Sequence, residues 1–288
     1  MKSKKIVIFS LLFLLLLPIP AYADVAVGDM IVTLGENLTE EQKQLLLTEM
    51  KAPDDAQIIT VTNAEEHQYL GNYISKSLIG TRAISSSAIT IGDKDTGIQV
   101  TTKNINWVTD EMYTNALITA GVKDAKIYIT APIEVSGTAA LTGIIKAYEV
   151  STDTVIPEDV KQAANEEMVE TANLGEEIGK DEATALMAKV KEQIAEKKPE
   201  TTAEVQQIIE DTSKDLNISL TDAQLQSLLG FFDKLKELNI DWNQVGDQLQ
   251  EAKDKLTGYL ESEEGQGFLD KVKEVFANIV DAIKNFFS

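Results

Sequence analysis

Of the 288 residues, 47 are Asp or Glu and 26 are Lys or Arg, which gives a formal charge of −21. A field of that sign repels phosphate backbones and anionic headgroups, so nucleic acid is set aside as a general partner, and a cell-wall component or a basic protein is expected instead. There is no cysteine, one histidine (His67) and one arginine (Arg82), which removes disulfides, thiol nucleophiles and transition-metal sites built from His and Cys ligands.

The first segment reads as a leader. Lys2, Lys4 and Lys5 precede an apolar run from Ile6 to Leu17, Pro18 and Pro20 interrupt it, and Ala21-Tyr22-Ala23 supplies the small residues of a cleavage site. The run is shorter than the roughly 20 residues that span a bilayer, which favours a cleaved signal over an anchor helix. Residues 1–23 are therefore expected to be a signal peptide cut after Ala23, and the mature chain to be secreted or extracytoplasmic. The leader carries three lysines and no acid, so 23 basic and 47 acidic residues would remain, a charge of −24.

From Asp24 to Asp153 strand and helix patterns alternate. A strand is predicted at 30–34, a helix from Thr39 to Met50 opened by the capping box Thr39-x-x-Gln42, a strand at 57–62 and a helix at 64–78. Ala88–Ile91 and Ile98–Thr101, joined by residues 92–97, read as a β-hairpin. A helix over 110–120, a strand over 126–130 and a helix over 137–150 follow. Leu38-Thr39-Glu40-Glu41 is echoed seventy residues later by Val108-Thr109-Asp110-Glu111, and Asp55-Ala56 by Asp124-Ala125. This strand–helix–strand–helix order reads either as a duplicated unit in one sheet or as two units sharing common capping and turn signals.

After Asp153 the periodicity is helical throughout. Pro157, Asp181, Thr201-x-x-Glu204, Thr221-x-x-Gln224 and Asp241-x-x-Gln244 open successive amphipathic helices, and a last one is predicted over 263–287. That last helix carries an apolar stripe from Phe268 to Phe287. It is expected to cover the helices of 221–260, with membrane docking as the alternative. The fold class expected is α+β. An N-terminal α/β domain (24–153) holds the duplicated unit and the hairpin, and an acidic all-helical domain (154–288) follows.

Little in the chain points to catalysis. His67 lies in Ala64–Leu70, an ordinary helical stretch, and no nucleophile elbow occurs. Asp93-x-Asp95-x-Gly97 lacks the remaining ligands of a calcium loop and reads better as a turn. The segment Thr130–Gly143 ends a strand in a Pro turn and opens an alanine-rich helix at Ser136-Gly137-Thr138. Its backbone amides suit an anion, while Ser136 equally suits an N-cap. Arg82, within Gly80–Ala88, is the residue expected to pair with such an anion or with an acidic neighbour. The candidate ligand-binding residues are thus Arg82, Ser136, Gly137 and Thr138, with no catalytic residue, metal or cofactor expected.

The chain resembles the YpuA-like family of uncharacterised secreted proteins of Gram-positive bacteria. The resemblance rests on the leader, Arg82 with Ser85-Ser86-Ser87, the run Asn115–Val122, and Ala131-Pro132 followed by Ser136–Gly143. It implies an extracytoplasmic setting and no catalytic residues. A non-enzymatic binding protein is the leading expectation. The alternatives are an extracytoplasmic enzyme acting on an anionic or glycan wall substrate, and a protein that engages a membrane or partner through its C-terminal helices.

Overall fold

The computed structural model describes residues 27–261, so the leader and the helix expected over 263–287 lie outside it. The chain runs β1 (Met30–Gly35), α1 (Glu40–Glu49), β2 (Gln57–Val61), α2 (Asn63–Leu70), α3 (Lys76–Ile79), β3 (Ser86–Ile91), β4 (Ile98–Ile105), α4 (Asp110–Thr119), β5 (Ala125–Val135) and α5 (Thr138–Thr152). Five helices follow: α6 (Glu158–Ile178), α7 (Lys180–Lys197), α8 (Thr202–Asp215), α9 (Asp222–Glu237) and α10 (Trp242–Glu261). A mixed sheet in the first part and helices in the second make the protein α+β.

Helix starts follow local chemistry. Thr39, Thr62, Thr201 and Thr221 each accept from the backbone amide three residues on, and the Gln or Glu there returns a bond to the cap amide. Asp241 Oδ1 accepts from the amides of Asn243 and Gln244, both at 3.1 Å. The single helix expected over 64–78 is two: Gly71 closes α2, and Lys76 reopens a short turn that seats Ile79 in the core.

The strand order is β2-β1-β3-β5-β4. β1 and β2 are parallel, β4 and β5 are parallel, and β3 runs antiparallel to both of its neighbours. The hairpin expected between β3 and β4 is therefore not formed. β5 lies between them, with Ile127 opposite Ile89 on one side and Val100 on the other. The physical reason is that Ala125, Ile127 and Ile129 are fully buried and need a neighbour on both edges. The loop 92–97 must then span two strand spacings, about 10 Å, which is within reach of six residues. It arches over the start of β5, where the Gly92 amide donates to the Asp124 carbonyl at 2.6 Å and the Gly97 amide to Asp124 Oδ1 at 2.9 Å.

β5 also departs from expectation by running through Pro132 to Val135. β3 begins at Ser86, opposite Thr130, so Pro132 forfeits no ladder bond on that side. On the other side the register shifts at Asn104, whose side-chain amide donates to the Ala131 carbonyl at 2.7 Å. The two strand–helix–strand passes thus share one sheet, each followed by a helix, but they are not placed equivalently. In the first the earlier strand is interior, and in the second the later one is.

One sheet face packs Val32, Leu34 and Ala88 against Leu38, Leu46 and Met50 around α1. The other face packs Ile31, Ile89, Ile127 and Ile129 against α4 and α5, and this cluster continues without a break into Val160, Met168 and Val169 of α6. α5 lies close on the sheet because residue 143 is glycine: a Cβ there would come within 2.7 Å of Thr33 Oγ1. A second cluster fills the space between α6, α7, α8 and α9.

Where the two clusters meet, Lys191 Nζ contacts Glu167 Oε1 at 2.6 Å, and neither side chain has exposed surface. Lys191 also donates to the Asn115 carbonyl at 2.8 Å and Thr119 Oγ1 at 3.1 Å, while Thr119 Oγ1 donates to Glu167 Oε2 at 2.5 Å. Burial raises the Glu167 carboxyl and lowers the Lys191 ammonium, and each partner opposes the other's shift. Removing one partner strands the other without water. Lys191→Met is expected to cost about 3–5 kcal/mol at pH 8. Glu167 would then be protonated in the folded state at a pH where the unfolded chain is ionised, so the variant should regain stability on acidification. Urea unfolding at pH 5.5 and 8 measures both; a loss equal at the two values would contradict this account.

Candidate functional site at the carboxyl edge of the sheet

β1, β2, β4 and β5 all point the same way, so their carboxyl ends and the N-termini of α1, α2, α4 and α5 gather at one edge. In sheets of this kind that edge is where ligands are held. β3 runs the opposite way and therefore starts there, which delivers the preceding segment, residues 80–85, to the same place. This segment carries Arg82.

Asn37, just past β1, pins that segment with three bonds. Its amide donates to the Ala83 carbonyl at 3.0 Å, its Oδ1 accepts from the Ala83 amide at 2.8 Å, and its carbonyl accepts from Arg82 Nη2 at 3.2 Å. Arg82 is otherwise exposed, and among the described residues no carboxylate forms an ion pair with it. On the far side of the same loop, Glu36 Oε1 accepts from the Asn63 amide at 2.8 Å, and Asn63 Nδ2 donates to Glu66 Oε2 at 2.7 Å. His67 Nε2 lies 3.1 Å from the Gly80 carbonyl and closes the circuit back to the segment of Arg82. The chain's one arginine and one histidine thus belong to a network with Glu36, Asn37, Asn63 and Glu66 that links the β1–α1 loop, the first turns of α2 and the segment before β3.

Glu66 is the unusual member. It is 2% exposed, and burial pushes its carboxyl up to about 7, against the Asn63 bond and with the help of the Glu36 charge. A group whose folded value is raised destabilises the fold as pH climbs from the ordinary carboxylate range to the raised one. Glu66→Gln is therefore expected to flatten the decline in stability between pH 5 and pH 8, measured by urea midpoints against the parent chain. An unchanged slope would mean that Glu66 meets more solvent than its packing implies.

The other expected residues sit two strands away, at the end of β5. Ser136 is not the N-cap; Gly137 is, with φ of 93° in the left-handed region. Its carbonyl accepts from the Tyr113 hydroxyl at 2.6 Å, and a Cβ at this position would fall 2.3 Å from that hydroxyl and 2.6 Å from Ile105 Cγ2. Glycine is demanded by both conformation and contact, which explains why serine lost the capping role. Ser136 gives its carbonyl to the Val108 amide at 3.2 Å, and its hydroxyl lies 3.3 Å from that of the buried Thr138. Arg82 and Ser136–Thr138 share the edge, but no hydrogen bond joins them among the described residues. Gly137→Ala is expected to lower stability by roughly 1–3 kcal/mol through backbone strain, before any clash is counted, and a thermal melt reads this directly.

Glu36, Asn63 and Glu66 were not singled out by sequence reasoning, and His67 was weighed there only as a catalytic base and set aside. One signal was present: Glu66 stands four residues before Leu70 and eight before Ile74, on the apolar stripe of its helix, where a carboxylate has no ordinary place. Among the described residues no group of three His, Asp or Glu is arranged to hold a metal ion.

The fold defines an α+β protein with a mixed five-stranded sheet and a helical second part. The family described as "Protein of unknown function (DUF1002)" matches residues 34–252, which include every residue of the site, and the chain belongs to that family. It is 56% identical over 275 residues, 95% of each chain, to "Uncharacterized protein YpuA" of Bacillus subtilis (strain 168). No solved structure matches.

Proposed function

We propose that this is an exported, non-catalytic binding protein of the cell envelope that takes a small polar ligand at the carboxyl edge of its sheet, with Arg82 as the anchor for an anionic group. The observation that carries this reading is the state of Arg82. In a chain with 47 acidic residues, its only guanidinium is exposed, held by a backbone carbonyl, and joined to no carboxylate among the described residues. A planar donor fork left in that condition suits a carboxylate or phosphate. The leader supports export, and no described helix is long and apolar enough to cross a membrane. Ser136, part-exposed at the next parallel strand end, offers its hydroxyl to a ligand that extends along the edge.

The enzyme reading has one observation in its favour. A buried carboxyl that holds its proton near neutral pH, as Glu66 does, is what a general acid requires. Binding remains the better account, because among the described residues no hydrogen bond joins Glu36 or His67, the other titratable groups there, to a hydroxyl that could act as a nucleophile.

Retention of the mature chain on purified Bacillus subtilis cell walls tests the proposal. Arg82→Ala should weaken retention about tenfold and Ser136→Ala by less, with melting temperatures nearly unchanged. Full retention by Arg82→Ala, or a large loss of stability instead, would mark the residue as structural and end this reading.

A further inference from the structure

Arg82 and Glu36 are held on opposite sides of the four-residue loop 36–39 that joins β1 to α1. The guanidinium reaches the Asn37 carbonyl from the β3 side, and the Glu36 carboxylate reaches the Asn63 amide on the β2 side. Oppositely charged side chains this close ordinarily find each other. Here each is tied to a backbone group, and neither forms an ion pair among the described residues. Glu66 lies behind Glu36, bonded to the same Asn63. The edge therefore presents one positive pole and, a residue along the chain from its anchor, the exposed Glu36 carboxylate, with the buried Glu66 behind it.

That arrangement is poorly suited to a plain anion. A phosphate or carboxylate at Arg82 would lie in the field of Glu36, one residue along from the carbonyl that holds the guanidinium, and like charge there offsets part of what the guanidinium contributes. A ligand that carries a primary ammonium beside its anionic group reverses the sign of the second contact. We infer that the site takes a dipolar ligand, its anionic group on Arg82 and its ammonium on Glu36 with Glu66 beneath. This deepens the binding reading above and rests on it. The circuit through Asn63 gives the ammonium an indirect effect as well: a cation at Glu36 favours the ionised form of Glu66. The charged groups around Glu66 are Glu36 from the β1–α1 loop, and on its own helix Glu65, which is bonded to Lys146 of α5, and His67. Glu66, pushed up to about 7 by burial, is then drawn towards its ionised form, so binding should release a proton around pH 7.

Three soluble probes separate the poles: O-phosphoethanolamine carries both charges, ethyl phosphate the anion alone, and ethylammonium the cation alone. Calorimetric titration of the mature chain at pH 8 should show phosphoethanolamine bound about tenfold more tightly than ethyl phosphate, with that ratio shrinking at pH 6 as Glu66 takes up its proton. Glu36→Gln and Glu66→Gln should each collapse the ratio towards one while leaving ethyl phosphate bound as well as before or better, and Arg82→Gln should weaken both phosphate probes. Circular dichroism melts confirm that each variant is folded. Co-sedimentation with phosphatidylcholine vesicles that contain phosphatidylethanolamine, and not with phosphatidylcholine alone, assigns the chemistry to a lipid headgroup; binding of the soluble probe without vesicle binding assigns it to a free molecule. Equal affinity for phosphoethanolamine and ethyl phosphate, a ratio that survives both glutamate substitutions, or no phosphoethanolamine binding at millimolar concentration would overturn the inference. Arg82-dependent retention on cell walls, should it persist in that case, would leave the broader binding reading standing.

Discussion

The Glu167 carboxylate and the Lys191 ammonium are sealed from water, so every hydrogen bond they need must come from the protein. Those bonds come from three helices at once: α4 through Asn115 and Thr119, α6 through Glu167 itself, and α7 through Lys191. An apolar contact tolerates sliding, whereas a buried ion pair loses several kcal/mol if its partner moves away. The pair therefore sets how α6 and α7 align on α4, at the seam where the sheet's core passes into the helical part. Asn115 adds a second tie, its side-chain amide donating to the Thr184 carbonyl at 3.2 Å. Because α4 begins at the carboxyl edge of the sheet, where its Tyr113 hydroxyl donates to the Gly137 carbonyl, anything that fixes α4 also steadies the turn after β5.

The loops in which the ligand poles lie owe their meeting to strand direction. Four parallel strands bring four helix starts to one edge, and the reversed β3 brings in the segment of Arg82 from the other side. Were β3 parallel as well, its N-terminal segment would enter at the opposite edge and Arg82 would be far from Asn37. The antiparallel middle strand is thus what joins the arginine to the carboxyl cluster. Glu49 performs the matching task on the opposite face, where it accepts from Tyr128 and Thr130 of β5 and pairs with Lys103 of β4 at 2.5 Å. One carboxylate there clamps α1 to both β4 and β5.

The acidity of the chain and the character of the edge are compatible because the field of a protein is local at physiological salt, where charges beyond about 8 Å are largely screened. What matters to a ligand is the handful of groups around Arg82, and these are mixed in sign. Overall acidity sets solubility and the choice of distant partners; the edge sets recognition. The family carries no assigned activity, so the chemistry of these groups is the present guide to its ligand.

Local interactions were legible without coordinates. Capping boxes at Thr39, Thr201 and Thr221 mark helix starts because cap and amide lie within four residues of each other, and apolar spacing of three and four marks α6 to α10 for the same reason. The α+β division and most element positions followed. Whatever depends on which distant segment arrives alongside did not. The insertion of β5 between β3 and β4 is a choice of neighbour across more than thirty residues, and a β-branched strand carries no label for its partner. Gly137 took the cap from Ser136 because Tyr113 and Ile105 occupy the space a Cβ would need. Lys191 sits among other lysines and glutamates, and only the approach of α4 and α6 decides that it, rather than Lys189, is buried. Arg82 stood out in the sequence by being the only arginine; that it would share an edge with Glu36 and Glu66 was settled by the direction of β3.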